Sequence, residues 1–157
     1  MHGIYIYFKP ENIYITESEL SRRINLLTPY EATCGKDDYM VDIEGCSVHY
    51  LTRPMNYYQH AEFPYWHFYS GVYWDAVRND LVFRSQVETL CRAMGADEWW
   101  YAEEISQDIL DELNTDEFEV AIARAPGIEN FSVPTFFPAG PNHLFKDSSL
   151  RVKSAMD

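Results

Sequence analysis

Apolar residues alternate from the start of the chain. Ile4, Ile6 and Phe8 interleave with Tyr5 and Tyr7, and Ile13 to Ile15 repeats the pattern after Lys9-Pro10-Glu11-Asn12. Period two around a Pro-Asn break predicts a short strand or hairpin. Thr16 stands three positions before Glu19, a capping-box spacing, and Leu20, Ile24 and Leu27 recur at helical intervals. These predict a helix over 17–27, stopped before Pro29. The runs 39–43 and 46–51, joined by Glu44-Gly45, predict a tight hairpin, and residues 53–64 read as a loop behind Arg53-Pro54.

The most aromatic segment, Tyr65 to Trp74, reads as a strand. One face carries Trp66, Phe68, Ser70, Val72 and Trp74, and the other carries Tyr65, His67, Tyr69, Gly71 and Tyr73. The second face suits either a central strand covered on both sides or a contact surface. Burial is favoured, because buried aromatics far outnumber exposed stripes. Phe83, Val87, Leu90, Cys91 and Met94 form one helical stripe. Asn79-Asp80 offers one start for this helix, Ser85 with Glu88 a better one, and Gly95 its end. Residues 98–102 predict a returning strand.

Ser106 caps the next expected helix, with Ile109, Leu110 and Leu113 on its buried edge. Phe118, Val120 and Ile122 alternate with Glu119, Ala121 and Ala123, predicting another strand. From Pro126 onward, Pro134, Pro138 and Pro141 exclude regular structure while Phe131, Phe136, Phe137 and Phe145 require burial. That predicts an extended strap, ending in a polar segment, 146–157, expected to fray. The chain is thus expected to be one α+β domain over 1–157, with a mixed or antiparallel sheet, about three helices and a Pro/Phe-rich C-terminal strap.

Charge adds the feature with the most functional content. The 157 residues carry a net charge of −13, and the stretch from Asp97 to Glu119 holds ten carboxylates. No Lys, Arg or His falls between Arg92 and Arg124. Natural surfaces intersperse both signs, so a run of this kind points to a cationic partner or to a plain solvated face. The exposed face of the expected helix would carry Asp108, Asp111 and Glu112, with Asp108 and Glu112 at a like-charge i,i+4 spacing. So acidic a chain repels nucleic acid, which argues against direct binding to it. The N-terminus lacks the marks of a signal peptide, no window reaches the apolar length of a membrane span, and three cysteines without a CxxC suit free thiols in a reducing cytosol.

The chemistry-bearing motifs are absent: no Gly-rich phosphate loop, GxSxG, HExxH or zinc-spaced Cys/His cluster occurs. No metal, cofactor or catalytic set is therefore expected. Glu103 draws attention because a strand carried past Ala102 would align it with Trp99 and Tyr101. The strand is expected to end at Ala102; otherwise Glu103 is a partly buried carboxylate. A pocket lined by His67, Tyr69, Tyr73 and Glu103 would make the chain a small enzyme or ligand-binding domain.

Val87-Glu88-Thr89-Leu90-Cys91-Arg92-Ala93-Met94-Gly95-Ala96-Asp97-Glu98-Trp99-Trp100-Tyr101 resembles a segment of bacterial immunity proteins of polymorphic and contact-dependent toxin systems. There a helix ends in a Leu–Gly–Ala-like turn and leads into an acidic, aromatic strand; Met94 replaces the Leu. The resemblance implies a cytoplasmic, non-enzymatic inhibitor that binds a toxin domain. Basic toxins such as nucleases fit the charge, with Glu98, Trp100, Glu104, Asp108, Asp111 and Glu112 as the expected contact residues. A third reading is an acidic mimic of DNA, which would need acids spread along a longer surface.

Overall fold

The structure is a computed structural model that describes residues 3–12, 14–34, 40–53, 64–72, 74–103, 115–130 and 144–148. The elements are β1 (Ile4–Phe8), α1 (Glu17–Leu27), β2 (Glu31–Cys34), β3 (Met40–Glu44), β4 (Val48–Thr52), β5 (Trp66–Ser70), α2 (Trp74–Asn79), α3 (Leu81–Ala93), β6 (Glu98–Glu103), α4 (Thr115–Arg124), a 3-10 turn (Ile128–Asn130) and β7 (Leu144–Ser148). The strands form one seven-stranded sheet in the order β2-β3-β4-β5-β1-β6-β7. Every strand pairing is antiparallel. This is the expected α+β domain.

Strand β1 lies inside the sheet, between β5 and β6, and all five of its residues are buried. Its alternation divides the molecule. Ile4, Ile6 and Phe8 join a large core with Leu20 and Ile24 of α1, Trp74 and Val77 of α2, and Phe83, Val87 and Leu90 of α3. Tyr5 and Tyr7 face the other way, into a smaller cluster with Tyr65, Trp100, Ala102, Ile122 and Leu144. One sheet face therefore carries α1, α2 and α3, and α4 packs on the other.

Local chemistry sets the helix ends. The Thr16 hydroxyl accepts from the Glu19 amide at 3.2 Å, and α1 stops where the Thr28 amide and hydroxyl both donate to Ile24 O. Helix α3 starts at the earlier of its two candidate caps, because Asp80 Oδ1 accepts from the Phe83 amide at 3.0 Å. Ser85 lies inside the helix. At the other end the Gly95 amide donates to Arg92 O and the Ala96 amide to Cys91 O, a Schellman closure. It needs a left-handed residue, and Gly95 has φ of 80°.

Of the short strand or hairpin expected at the start, the strand forms: Asn12 Oδ1 accepts from the Tyr14 amide in a turn, and β1 pairs with distant β5 and β6. Three expectations are corrected. Strand β5 ends at Ser70, and Trp74 begins a helix. Residues 115–124 are helical, which puts Val120 in solvent at 49% exposure and Ile122 in the core; a strand would have given both the same environment. Residues 144–148, assigned to the strap and the frayed end, are the edge strand β7. Strand β2 appears where no element was expected. The helix expected after Ser106 and the strap over 131–143 lie outside the described residues.

Both sheet edges are occupied. Ala32 in β2 uses its outward N–H on Asn25 Oδ1 (2.8 Å), and its C=O accepts from Ser21 Oγ (3.1 Å) and Asn25 Nδ2 (3.0 Å). On β7 the Lys146 amide donates to Pro126 O at 2.8 Å. Side-on addition of another strand is blocked at these positions.

A buried ion pair joins α3 to β7. Asp147 is 4% exposed, and its Oδ2 accepts from Arg84 Nη2 at 3.1 Å and Nε at 3.3 Å. Its Oδ1 accepts from the Ser148 amide at 2.9 Å. Removing Arg84 takes the guanidinium from a buried carboxylate. R84A is expected to destabilise the fold by about 2–4 kcal/mol, whereas R84M/D147L returns most of that loss. Urea denaturation of both variants checks this; an R84A loss under about 0.5 kcal/mol would exclude a structural role for the pair.

Candidate interaction face

The strand registers arrange the face opposite α1 and α3 into rows. Thr33, Asp42, Tyr50, Tyr69, Tyr5, Ala102 and Leu144 are successive partners across the whole sheet. The neighbouring row is Met40, Thr52, His67, Tyr7, Trp100 and Lys146. Exposure falls along both from β2 and β3 to β1 and β6, and rises again at Lys146 on β7. Thr33, Met40 and Asp42 are exposed, Tyr50, Thr52 and Tyr69 are half-buried, and Tyr5, Tyr7, His67, Trp100, Ala102 and Leu144 are buried. The face is therefore closed from β1 to β6 and open from β2 to β4.

The open end is acidic. Glu31 and Glu44 are direct cross-strand partners, both exposed, and Asp42 follows on the same face of β3. Among the described residues none of the three pairs with a cation. Like charges directly opposite each other destabilise a sheet. Beside them the Tyr50 and Tyr69 rings stack at 4.9 Å and 16°. The Tyr69 ring lies over Gly3, where any Cβ would stand 2.4 Å from its Cε2. A register shift between Val48 and Tyr50 leaves His49 out of the ladder, and its ring comes 6.1 Å from that of Tyr69. Ser47, His49, Tyr69, Gly71 and Val72 border an adjoining groove of about 500 Å³.

At the closed end His67 is enclosed by aromatic rings. Tyr5 stacks on it at 4.3 Å and 10°, and Tyr7 meets it edge-on at 5.3 Å. The imidazole is 4% exposed, and its Nδ1 has no hydrogen-bond partner among the described residues. Burial pushes its pKa down to about 3, so it is neutral at physiological pH. Tyr65 donates to Glu119 Oε2 at 2.9 Å, tying β5 to α4, and burial with that carboxylate raises the phenol's pKa.

Of the expected contact residues, Glu98 is exposed and pairs with Lys146 on β7, so the base missing from the local sequence is supplied across strands. Trp100 is corrected: at 7% exposure it belongs to the second core, edge-on to Tyr65, because its register partner Tyr7 faces inward. Glu104, Asp108, Asp111 and Glu112 lie outside the described residues. Of the expected pocket, Tyr69 and His67 both reach Tyr5, and His67 is packed among rings. Tyr73 lies outside the described residues. Glu103 is in β6, opposite Ile4, so the strand runs one residue further than expected. Cys91 is buried in the core, and burial, with Asp147 and Glu88 nearby, raises its thiol pKa. Among the described residues no group of three or more His, Cys, Asp and Glu could hold a metal ion. None of their helices is long and apolar enough to cross a membrane.

Sequence reasoning missed Glu31, Asp42, Glu44 and Tyr50. The signal for two of them was present: Met40-Val41-Asp42-Ile43-Glu44 alternates, so Asp42 and Glu44 had to share a face. No family model, curated protein or solved structure matches the chain.

Two outcomes follow. The folded-state pKa of His67 is depressed below that of the unfolded imidazole. The stability it contributes is therefore complete above about pH 6.5 and lost as pH falls toward 3, with a slope approaching about 1.4 kcal/mol per pH unit. H67F should remove that slope between about pH 6.5 and 5 in urea titrations; an unchanged slope would exclude His67 as its source. E31Q is expected to stabilise the fold by about 0.2–1 kcal/mol by relieving repulsion with Glu44, and a loss of stability would show that the pair is not repulsive.

Proposed function

We propose that the chain is a cytoplasmic inhibitor of the immunity type, a small binding domain that recognises a cationic protein, such as a toxin domain that cleaves nucleic acid, and blocks it. The observation that carries this reading is the open, acidic end of the sheet. There Glu31, Asp42 and Glu44 stand exposed and without a cation among the described residues, next to a half-buried tyrosine stack. An arrangement that weakens the sheet is useful when a partner brings the opposite charge. The net charge of −13 adds long-range attraction for such a partner. The likeness of residues 87–101 to immunity proteins points the same way.

The pocket reading has less support. His67 is buried in aromatic packing, and the groove beside Tyr69 is bordered by His49 instead. The DNA-mimic reading needs acids spaced over a long surface, whereas these acids stand on two adjacent strands.

The test is capture from the source cell at low salt, then stopped-flow association with the purified partner and assay of that partner's activity. One basic protein is expected, inhibited at equal stoichiometry. Its association should slow by about tenfold or more between roughly 0.02 and 0.5 M NaCl. A partner whose activity is untouched, or whose association ignores salt, contradicts the proposal.

A further inference from the structure

We infer that the open face of β2 to β5 docks an arginine-bearing segment of a protein partner, with Glu31, Asp42 and Glu44 holding guanidinium groups and the Tyr50–Tyr69 stack supplying the aromatic surface. This rests on the reading of the chain as a binder of cationic proteins and assigns the surface and the side-chain chemistry that reading leaves open.

The two edges direct a partner to the face. Ala32 on β2 gives its outward backbone groups to Asn25 and Ser21, and Lys146 on β7 gives its amide to Pro126. Strand addition finds those positions taken. On the face itself, coverage runs out between β1 and β5: Tyr5 is 9% exposed, while its register partner Tyr69 and then Tyr50 are half-buried, and Asp42 is in solvent. Acid and aromatic ring are thus direct neighbours, Asp42 opposite Tyr50.

That neighbourhood selects arginine over lysine. A guanidinium is planar, stacks on aromatic rings and pairs with carboxylates through two parallel N–H donors. An ammonium offers only a point charge. Three carboxylates on two adjacent strands match a segment carrying more than one arginine. The groove beside Tyr69, bordered by His49 and Val72, adjoins this face and gives the stem of such a segment an apolar floor.

The probes are a labelled peptide of repeating Arg-Gly and its Lys-Gly counterpart, titrated by fluorescence anisotropy onto the full chain, with NMR shift mapping of the bound site. The Arg-Gly peptide is expected to move resonances of residues 31–34, 40–52 and 66–72 and to bind about threefold or more tighter than Lys-Gly. E31Q/D42N/E44Q should weaken it about tenfold or more. D75N/D97N/E129Q changes net charge equally at exposed sites elsewhere and should weaken it less than about threefold. Y50L should weaken it about threefold. The first triple variant relieves the Glu31–Glu44 repulsion and should keep or raise the melting temperature, so lost binding is not lost folding. Equal weakening by the two triples, shifts confined to another surface, or no binding would each overturn the inference. Peptide docking at this face with no cationic partner in the cell would leave the inference standing and remove the inhibitor reading. An inhibitory, salt-sensitive partner whose association ignores E31Q/D42N/E44Q would overturn the inference and keep the inhibitor reading.

Discussion

Strand β1 imposes the constraint on which everything else depends. Five consecutive residues with no exposed side chain must bury two faces at once, and they do so by sending isoleucine and phenylalanine one way and tyrosine the other. Pairing with β5 on one side and β6 on the other joins the first half of the chain to the second. The all-apolar side becomes the helix-covered core. The tyrosine side becomes a polar-aromatic layer that tolerates a buried histidine and reaches toward solvent at its margin. A surface of acids and half-buried tyrosines follows from that division, because the row containing Tyr5 continues through Tyr69 and Tyr50 to Asp42.

Stability and recognition oppose each other at this margin. A sheet built for stability alone would set a lysine opposite Glu31 or Glu44. Several other acids do meet a base: Glu98 meets Lys146, Asp147 meets Arg84, and Glu19 meets Arg22 and Arg23. Even the carboxylate run, which lacks any base in sequence, obtains one across strands. Glu31 and Glu44 differ in standing directly opposite each other on paired strands.

Much of the architecture was legible wherever signals were local. The Thr16 cap, the Gly45 and Gly95 turns and the alternation of β1 each act within a few residues, and each appears as expected. Elements without local signals were misread. Strand β2 has four residues and depends on Asn25 and Ser21 of α1 for its outer edge. In α4 apolar residues alternate, but Glu119 reaching Tyr65 and Ile122 reaching the second core require a helix. Strand β7 is polar and stands behind prolines, and its partners on α3 and β6 are distant in sequence. The acidic face was hidden for the same reason: no local pattern places Glu31 opposite Glu44. Trp100 shows the converse, since an aromatic beside acids in sequence is a core residue once register turns it toward Tyr7.

Carboxyl footprinting of the chain, free and bound to its captured partner, tests the central claim most directly. Carbodiimide coupling of an amine to exposed acids, read by mass spectrometry, should show Glu31, Asp42 and Glu44 protected in the complex and Asp75 and Asp97 labelled as before. Protection confined to other acids, with Glu31, Asp42 and Glu44 labelled equally in both states, would contradict the account.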